Sequence, residues 1–167
     1  QLCLLAEFLS DNLYNYFTPA PSRSTINIPF FVSRGYIVFT PDIHYTVGNP
    51  GHDAYNAIVA GAEALGKNGW VDKDKMAIQG QSWGGYQVAC LVTQTDMFKA
   101  GGAGAPVSNM TSAFGGIRWE SGRSRQFQYE QTQSRIGSSM IDSLDLYIEN
   151  SPVFFADKVN TPLLIMH

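Results

Sequence analysis

Short runs of unbroken apolar residues alternate along this chain with longer stretches whose apolar positions recur at helical spacing. Tyr36-Ile37-Val38-Phe39-Thr40 is apolar or β-branched at every step and is closed by Pro41-Asp42. That pattern predicts a strand covered on both faces, as in a parallel sheet. Ala54, Ala57, Ile58, Gly61, Ala62 and Leu65 then follow the i, i+3, i+4, i+7 rule of an amphipathic helix, with Asp53 as an acidic start and Asn68-Gly69 as its stop. Residues 76–79 form a second strand, and a helix-compatible run extends from Gly84 to Val92. A third strand is expected within 98–106. Its core, Lys99-Ala100-Gly101-Gly102-Ala103-Gly104-Ala105, is so small that something bulky must lie across it, and the helix ending at Val92 is the obvious neighbour. Residues 107–150 are mostly polar, with short helices expected around 127–136 and 139–149. Asn150-Ser151-Pro152 turns the chain, 153–156 suits a short helix, and 162–166 forms a fourth strand. Toward the N-terminus, 26–33 predicts a short helix with its apolar side on a sheet, stopped by Arg34-Gly35; 2–9 fits strand or helix, and 18–22 is a loop. Strand, helix, strand, helix in this order calls for right-handed crossovers and a mostly parallel sheet flanked by helices, an α/β fold. No repeat or domain boundary interrupts 1–167, so the chain reads as one unit.

Composition narrows the function classes. A length of 167 residues can bury a core of its own. The net charge of −3 supplies no electrostatic reason to bind nucleic acid. No apolar run approaches the roughly 20 residues of a membrane span. The apolar start Gln1-Leu2-Cys3-Leu4-Leu5 lacks a charged lead and is interrupted by Glu7, so it does not read as a signal peptide. With Cys3 and Cys90 as the only cysteines, no disulfide framework is expected.

The chemistry concentrates at Gly80-Gln81-Ser82-Trp83-Gly84, followed by Gly85. Between a strand and a helix this is the Gly-x-Ser-x-Gly nucleophile elbow. Its tight turn holds the serine in a strained conformation, at a cost of about 1–3 kcal/mol. A Cβ at either flanking glycine would collide with the neighbouring element. Ser82 Oγ then stands clear at the end of the sheet. The Trp83 backbone N–H and the start of the helix face the place where an oxyanion would form.

Other groups carry less. His44 and His52 follow the 36–40 strand at the edge where α/β sheets place ligands, but with Asp42 they match no metal-ligand spacing, and no metal is expected. Asp142, Asp145 and Asp157 are expected on helices or surface turns. Asn109-Met110-Thr111 matches a glycosylation sequon by pattern. Gly102-Ala103-Gly104 lacks the third glycine of a dinucleotide fingerprint and runs into Pro106. Four of the six arginines, Arg118, Arg123, Arg125 and Arg135, fall in the polar excursion with only Glu120 and Glu130 as nearby acids. They suit a carboxylate of a substrate; the alternative is a solvated helical face that pairs with local acids. Phe114 and Trp119 are candidate apolar pocket walls, or core.

The chain resembles the catalytic domain of the prolyl oligopeptidase family of serine peptidases, which has the α/β-hydrolase fold. The matching stretches are Ser33-Arg34-Gly35-Tyr36-Ile37-Val38-Phe39-Thr40-Pro41-Asp42, Gly69-Trp70-Val71-Asp72, the elbow through Tyr86, Asp96-Met97-Phe98-Lys99-Ala100, Gly104-Ala105-Pro106-Val107-Ser108, Ser151-Pro152 and Thr161-Pro162-Leu163-Leu164-Ile165-Met166-His167. They cover roughly residues 26–167 in the family's order. The resemblance implies peptide-bond hydrolysis through a Ser82 acyl-enzyme with no cofactor. It implies the Trp83 N–H as one oxyanion donor and a tyrosine as the other, for which Tyr14 and Tyr16 are the nearby candidates. The excursion, with Phe114 and Arg118, would help form the substrate pocket.

By the same resemblance the catalytic acid and histidine follow the strand that ends at His167. The chain is therefore expected to be a partial catalytic domain, incomplete at the C-terminus and inactive or nearly so alone. Its expected partners are a peptide substrate, the rest of that domain and an N-terminal β-propeller. An esterase on the same fold and a non-catalytic binding module of that fold are the competing readings.

Overall fold

In a computed structural model, the structure describes residues 26–167 and the backbone of 2–5. Five strands form one all-parallel sheet: β1 (Leu2–Leu5), β2 (Ile37–Phe39), β3 (Met76–Gln81), β4 (Ala100–Gly104) and β7 (Leu163–Met166), in the spatial order β2-β1-β3-β4-β7. The first segment, ambiguous in sequence, is a strand. It pairs Leu2 with both Ile37 and Met76 and so lies between β2 and β3. The chain steps outward from β1 to β2, returns across β1 to β3, and continues to β4 and β7. The reversal lies at β1 and β3, and crevices at the carboxyl ends of strands beside such a reversal are where open α/β sheets bind ligands.

Helix α2 (Pro50–Gly66) buries Ala54, Ile58 and Ala62 against the sheet. Its start lies three residues earlier than Asp53. Pro50 occupies the first helical position, where its missing N–H costs nothing. Asp53 instead reaches back, its Oδ2 accepting from Thr46 N–H and Oγ1–H at 2.6 Å each, which fixes the loop before the helix. On β2, Ile37 and Phe39 pack into the α2 side while Val38 meets Ile26, Ile28 and Phe31, so both faces are covered as the continuous apolar run requires. Helix α1 (Ile28–Val32) turns only part of its apolar surface that way; Phe30 and Val32 are exposed.

Helix α3 (Trp83–Val92) is buried at nearly every position. It is the bulky element over β4: a Cβ added at Gly101 would lie 3.6 Å from both Val88 Cγ1 and Val92 Cγ1. The excursion between β4 and β7 holds α4 (Met110–Phe114), a hairpin of β5 (Ile117–Arg118) and β6 (Arg123–Ser124), a π-helical turn Gln128–Thr132, α5 (Leu144–Glu149) and a 3-10 segment Pro152–Lys158. The expected helix over 127–136 is thus only the short π turn, and α4 and the hairpin are additional. None of the described helices is long and apolar enough to cross a membrane.

Candidate functional site

Strand β3 runs directly into Ser82, which is exposed and has φ +58 and ψ −111. A non-glycine residue at positive φ with this ψ is strained. It persists because the surroundings over-determine it. Ser82 N–H donates to Gly104 O at 2.8 Å and Ser82 O accepts from Tyr86 N–H at 3.0 Å, so the corner is tied to β4 and α3 at once. A Cβ on Gly80 would run into the Gly84 carbonyl, and one on Gly85 would lie 2.5 Å from Gly104 O and 3.2 Å from Pro106 Cα. These neighbours are backbone and cannot swing away, so the spacing of small residues is a requirement of the turn. Ala105, at φ +41, is a second strained corner at the adjoining strand end.

As the first residue of α3, Trp83 has no intrahelical acceptor for its N–H, and none is supplied by another described residue. That donor is therefore available beside Ser82 Oγ, which itself makes no hydrogen bond among the described residues. The Trp83 side chain is buried. Its ring stacks on Tyr86 with centroids 4.2 Å apart, and its Nε1–H donates to Tyr45 Oη at 2.9 Å. Gln87 Nε2–H donates to the same oxygen. Burial pushes the Tyr45 hydroxyl up to about 12 against the opposing effect of these two donors, so it stays protonated at any ordinary pH. Tyr45 thus braces the residue whose amide faces the site. No local pattern points to it, because its partners lie 38 and 42 positions away.

The remaining candidates are scattered. His52 lies in the first turn of α2, 67% exposed in its side chain, with Nδ1 3.1 Å from Asn56 Nδ2. It lines a cleft of about 280 Å³ with Cys90, Thr93, Glu149 and Lys158, at the opposite end of α3 from Ser82. No group of three or more His, Cys, Asp or Glu among the described residues could hold a metal. Asp142, Asp145 and Asp157 lie on the excursion's turns and helices, exposed. Tyr14 and Tyr16 fall outside the described residues.

Phe114 is buried in a cluster with Trp83, Tyr86, Met110, Tyr129 and Tyr147, so it packs as core beneath the elbow. Trp119 is neither wall nor core: it is 97% exposed at the hairpin turn. The arginines do not share a helical face. Arg118 and Arg123 are cross-strand neighbours in the hairpin, Arg125 follows it, and Arg135 sits in a turn at φ +51. No arginine forms an ion pair among the described residues, where the pairs are His52–Asp53 and Lys75–Asp72. The alternative of one solvated helical face does not hold, since Arg118 and Arg123 lie on paired strands.

The excursion is anchored by Asn150 and Ser151. Asn150 Oδ1 accepts from Gly51 N–H at 3.2 Å and Tyr86 O–H at 3.4 Å; its Nδ2 donates to Gly48 O at 3.0 Å and Leu146 O at 2.9 Å. Ser151 Oγ donates to Tyr147 O at 2.6 Å and accepts from Met110 N–H at 2.8 Å.

Comparison with known proteins agrees with this geometry. The chain is 29% identical over 117 residues to the uncharacterized peptidase YuxL of Bacillus subtilis, covering 70% of this chain and 17% of that protein. Among solved structures it resembles the acylaminoacyl peptidase of Pyrococcus horikoshii (24% identity, TM-score 0.67, 80% of this chain and 22% of that one). It also resembles a puromycin hydrolase (22% identity, TM-score 0.74, 98% and 24%). The chain thus spans less than a quarter of the length of these proteins, and the two structures speak to the shared α/β-hydrolase fold. The sequence profile of the prolyl oligopeptidase family matches residues 21–167, and the chain belongs to that family.

Proposed function

We propose that this chain carries the nucleophile of a serine peptidase that hydrolyses peptide bonds through a Ser82 acyl-enzyme. The observation that carries the reading is the conformation of Ser82: strained, exposed, and held at the carboxyl end of β3 beside a helix-start amide with no acceptor among the described residues. Ser82 Oγ attacks the substrate carbonyl carbon, its proton passing to a base, and the carbonyl electrons move onto oxygen. The Trp83 N–H stabilises that oxyanion, and electrostatic support of this kind is worth about 3–4 kcal/mol per donor. Collapse expels the amine, which takes up the proton, and water repeats the sequence on the ester. Arg118 is assigned to the substrate side of the site, and Phe114 to the packed wall behind it.

A serine hydroxyl needs a base, and the base an orienting acid. No described residue brings either to Ser82 Oγ. They are assigned to the rest of the catalytic domain in a longer protein, and the 167 residues alone are expected to hydrolyse little or nothing. The apolar residues Leu164, Ile165 and Met166, more than half exposed on edge strand β7, offer that remainder a surface to pack on. A β-propeller is a further proposed partner. The test is turnover by the full-length protein of matched aminoacyl amides and short-chain esters. Amide cleavage that disappears in Ser82→Ala supports a peptidase; ester cleavage with amides untouched assigns an esterase, and robust cleavage by the bare 167 residues overturns the need for a supplied base.

A further inference from the structure

Among the described residues, the excursion holds three buried donors without a hydrogen-bond partner, Arg125 Nε, Tyr129 Oη and Ser134 Oγ, and the first two belong to one turn. Arg125 is placed by its backbone: its N–H donates to Gly116 O at 3.0 Å and its stem packs over Gly116. Its Nε is buried without a partner. One turn on, Tyr129 is fully buried in the π-helical turn, and its hydroxyl is equally unpaired. Tyr129 N–H donates to Arg125 O at 3.3 Å, so the two residues stand four apart on the same turn, the spacing at which side chains are neighbours. Arg118 approaches from β5, with one Nη2–H donated to Gln128 Oε1 at 3.0 Å. No acid answers these charges with an ion pair among the described residues, where Glu120 is exposed in the hairpin turn. Buried donors are normally paired, so a converging unpaired set marks a place where an acceptor belongs. Guanidinium and hydroxyl donors together match a planar anion with two oxygens, and the Arg fork suits a carboxylate above all.

We propose that Arg125 and Tyr129, with Arg118 at the rim, bind a carboxylate of the peptide substrate. The inference rests on the serine-peptidase reading of Ser82. Tyr129 and Phe114 share a buried cluster with Trp83, the residue after the nucleophile, so this anion site and the elbow are built on one wall. The carboxylate comes from an acidic side chain near the scissile bond or from the free C-terminus of a short peptide.

The test uses the full-length protein in two arms. In the first, kcat/KM is measured for peptides carrying Glu, Gln or Ala at each position flanking the scissile bond, and for dipeptides with free or amidated C-termini. A preference of about 10- to 100-fold for Glu over Gln, abolished in Arg125→Gln and reduced in Arg118→Gln and Tyr129→Phe, establishes the side-chain source. The same pattern for free over amidated C-termini establishes the terminal source. Equal rates throughout overturn the proposal while leaving the peptidase reading intact. In the second arm, the Ser82→Ala protein is titrated with N-acetylglutamate α-amide, N-acetylglutamine α-amide and glycylglycine by thermal shift, independently of turnover. Stabilisation by either carboxylate ligand that disappears when Arg125→Gln or Arg118→Gln is added supports the site, and no stabilisation by either overturns it. If neither labelling by a serine-directed probe nor any hydrolysis is seen, the nucleophile reading fails separately.

Discussion

The elbow and the excursion lie on either side of one buried cluster, yet they are held by different physics. From β3 through α3 to β4, backbone meets backbone: ladder hydrogen bonds join Ala77–Gln81 to Ala100–Gly104, and Gly80 and Gly85 sit where a methyl group would strike a carbonyl. The excursion has two-residue strands, five- and six-residue helices and a π turn, and side chains carry its long-range ties: Asn150 to α2 and α3, and Ser151 to α4. The first region cannot change much without losing the corner that raises Ser82. The second can be re-decorated while keeping its anchors, which is where specificity for one substrate over another is best placed.

Substitutions at the elbow's glycines should separate the regions most sharply. Gly85→Ala puts a methyl 2.5 Å from Gly104 O with only backbone to yield, and a loss of about 3 kcal/mol is expected in urea unfolding of the full-length protein. A loss under about 0.5 kcal/mol would mean the corner is looser than described. Next is Asn150→Ala, which strands Gly51 N–H, Gly48 O and the Tyr86 hydroxyl in a buried place. About 2 kcal/mol should be lost, with hydrogen exchange rising across 107–150 more than across 76–104. Uniform loosening of both regions would break the contrast.

Smaller effects test the brace behind Ser82. Tyr45→Phe removes the acceptor for Trp83 Nε1–H and the Gln87 amide and should cost about 1–2 kcal/mol, with a drop in kcat greater than any change in KM. Tyr45 and Tyr147 are each pushed from 10 up to about 12 by burial, and burial takes Tyr86 well above its ordinary value. For an acid whose pKa is raised by folding, the protonated form is the one the fold favours. Stability is full below pH 10 and falls as pH rises toward 12, when the unfolded chain ionises first. Tyr45→Phe should flatten that decline in melting temperature between pH 9 and 11. Least in size, Cys90, buried and held at about 12, should resist iodoacetamide in the native state and react once unfolded.

The contrast also explains what could be read from sequence. Gly80, Gly85 and the small residues of β4 were legible because steric exclusion leaves a compositional trace, as did the continuous run of β2 and the helical period of α2. Leu2–Leu5 was not, because four apolar residues fit either period until β2 and β3 pair on both sides of them. Asn109 matched a glycosylation pattern, whereas in the structure its Oδ1 caps α4, accepting from Thr111 N–H at 3.0 Å and Ser112 N–H at 3.3 Å. The arginines stand out in sequence and Tyr129 does not, because nothing in sequence shows that a tyrosine is buried without a partner among the described residues. The excursion's order resides in long-range side-chain ties, and those leave no periodic signal.

The most direct test of the central claim is labelling of the full-length protein by a fluorophosphonate, with peptide mapping of the modified residue. The account predicts stoichiometric modification at Ser82 alone and none in a folded Ser82→Ala variant. A folded protein that resists the probe, or one modified at another residue, would contradict it.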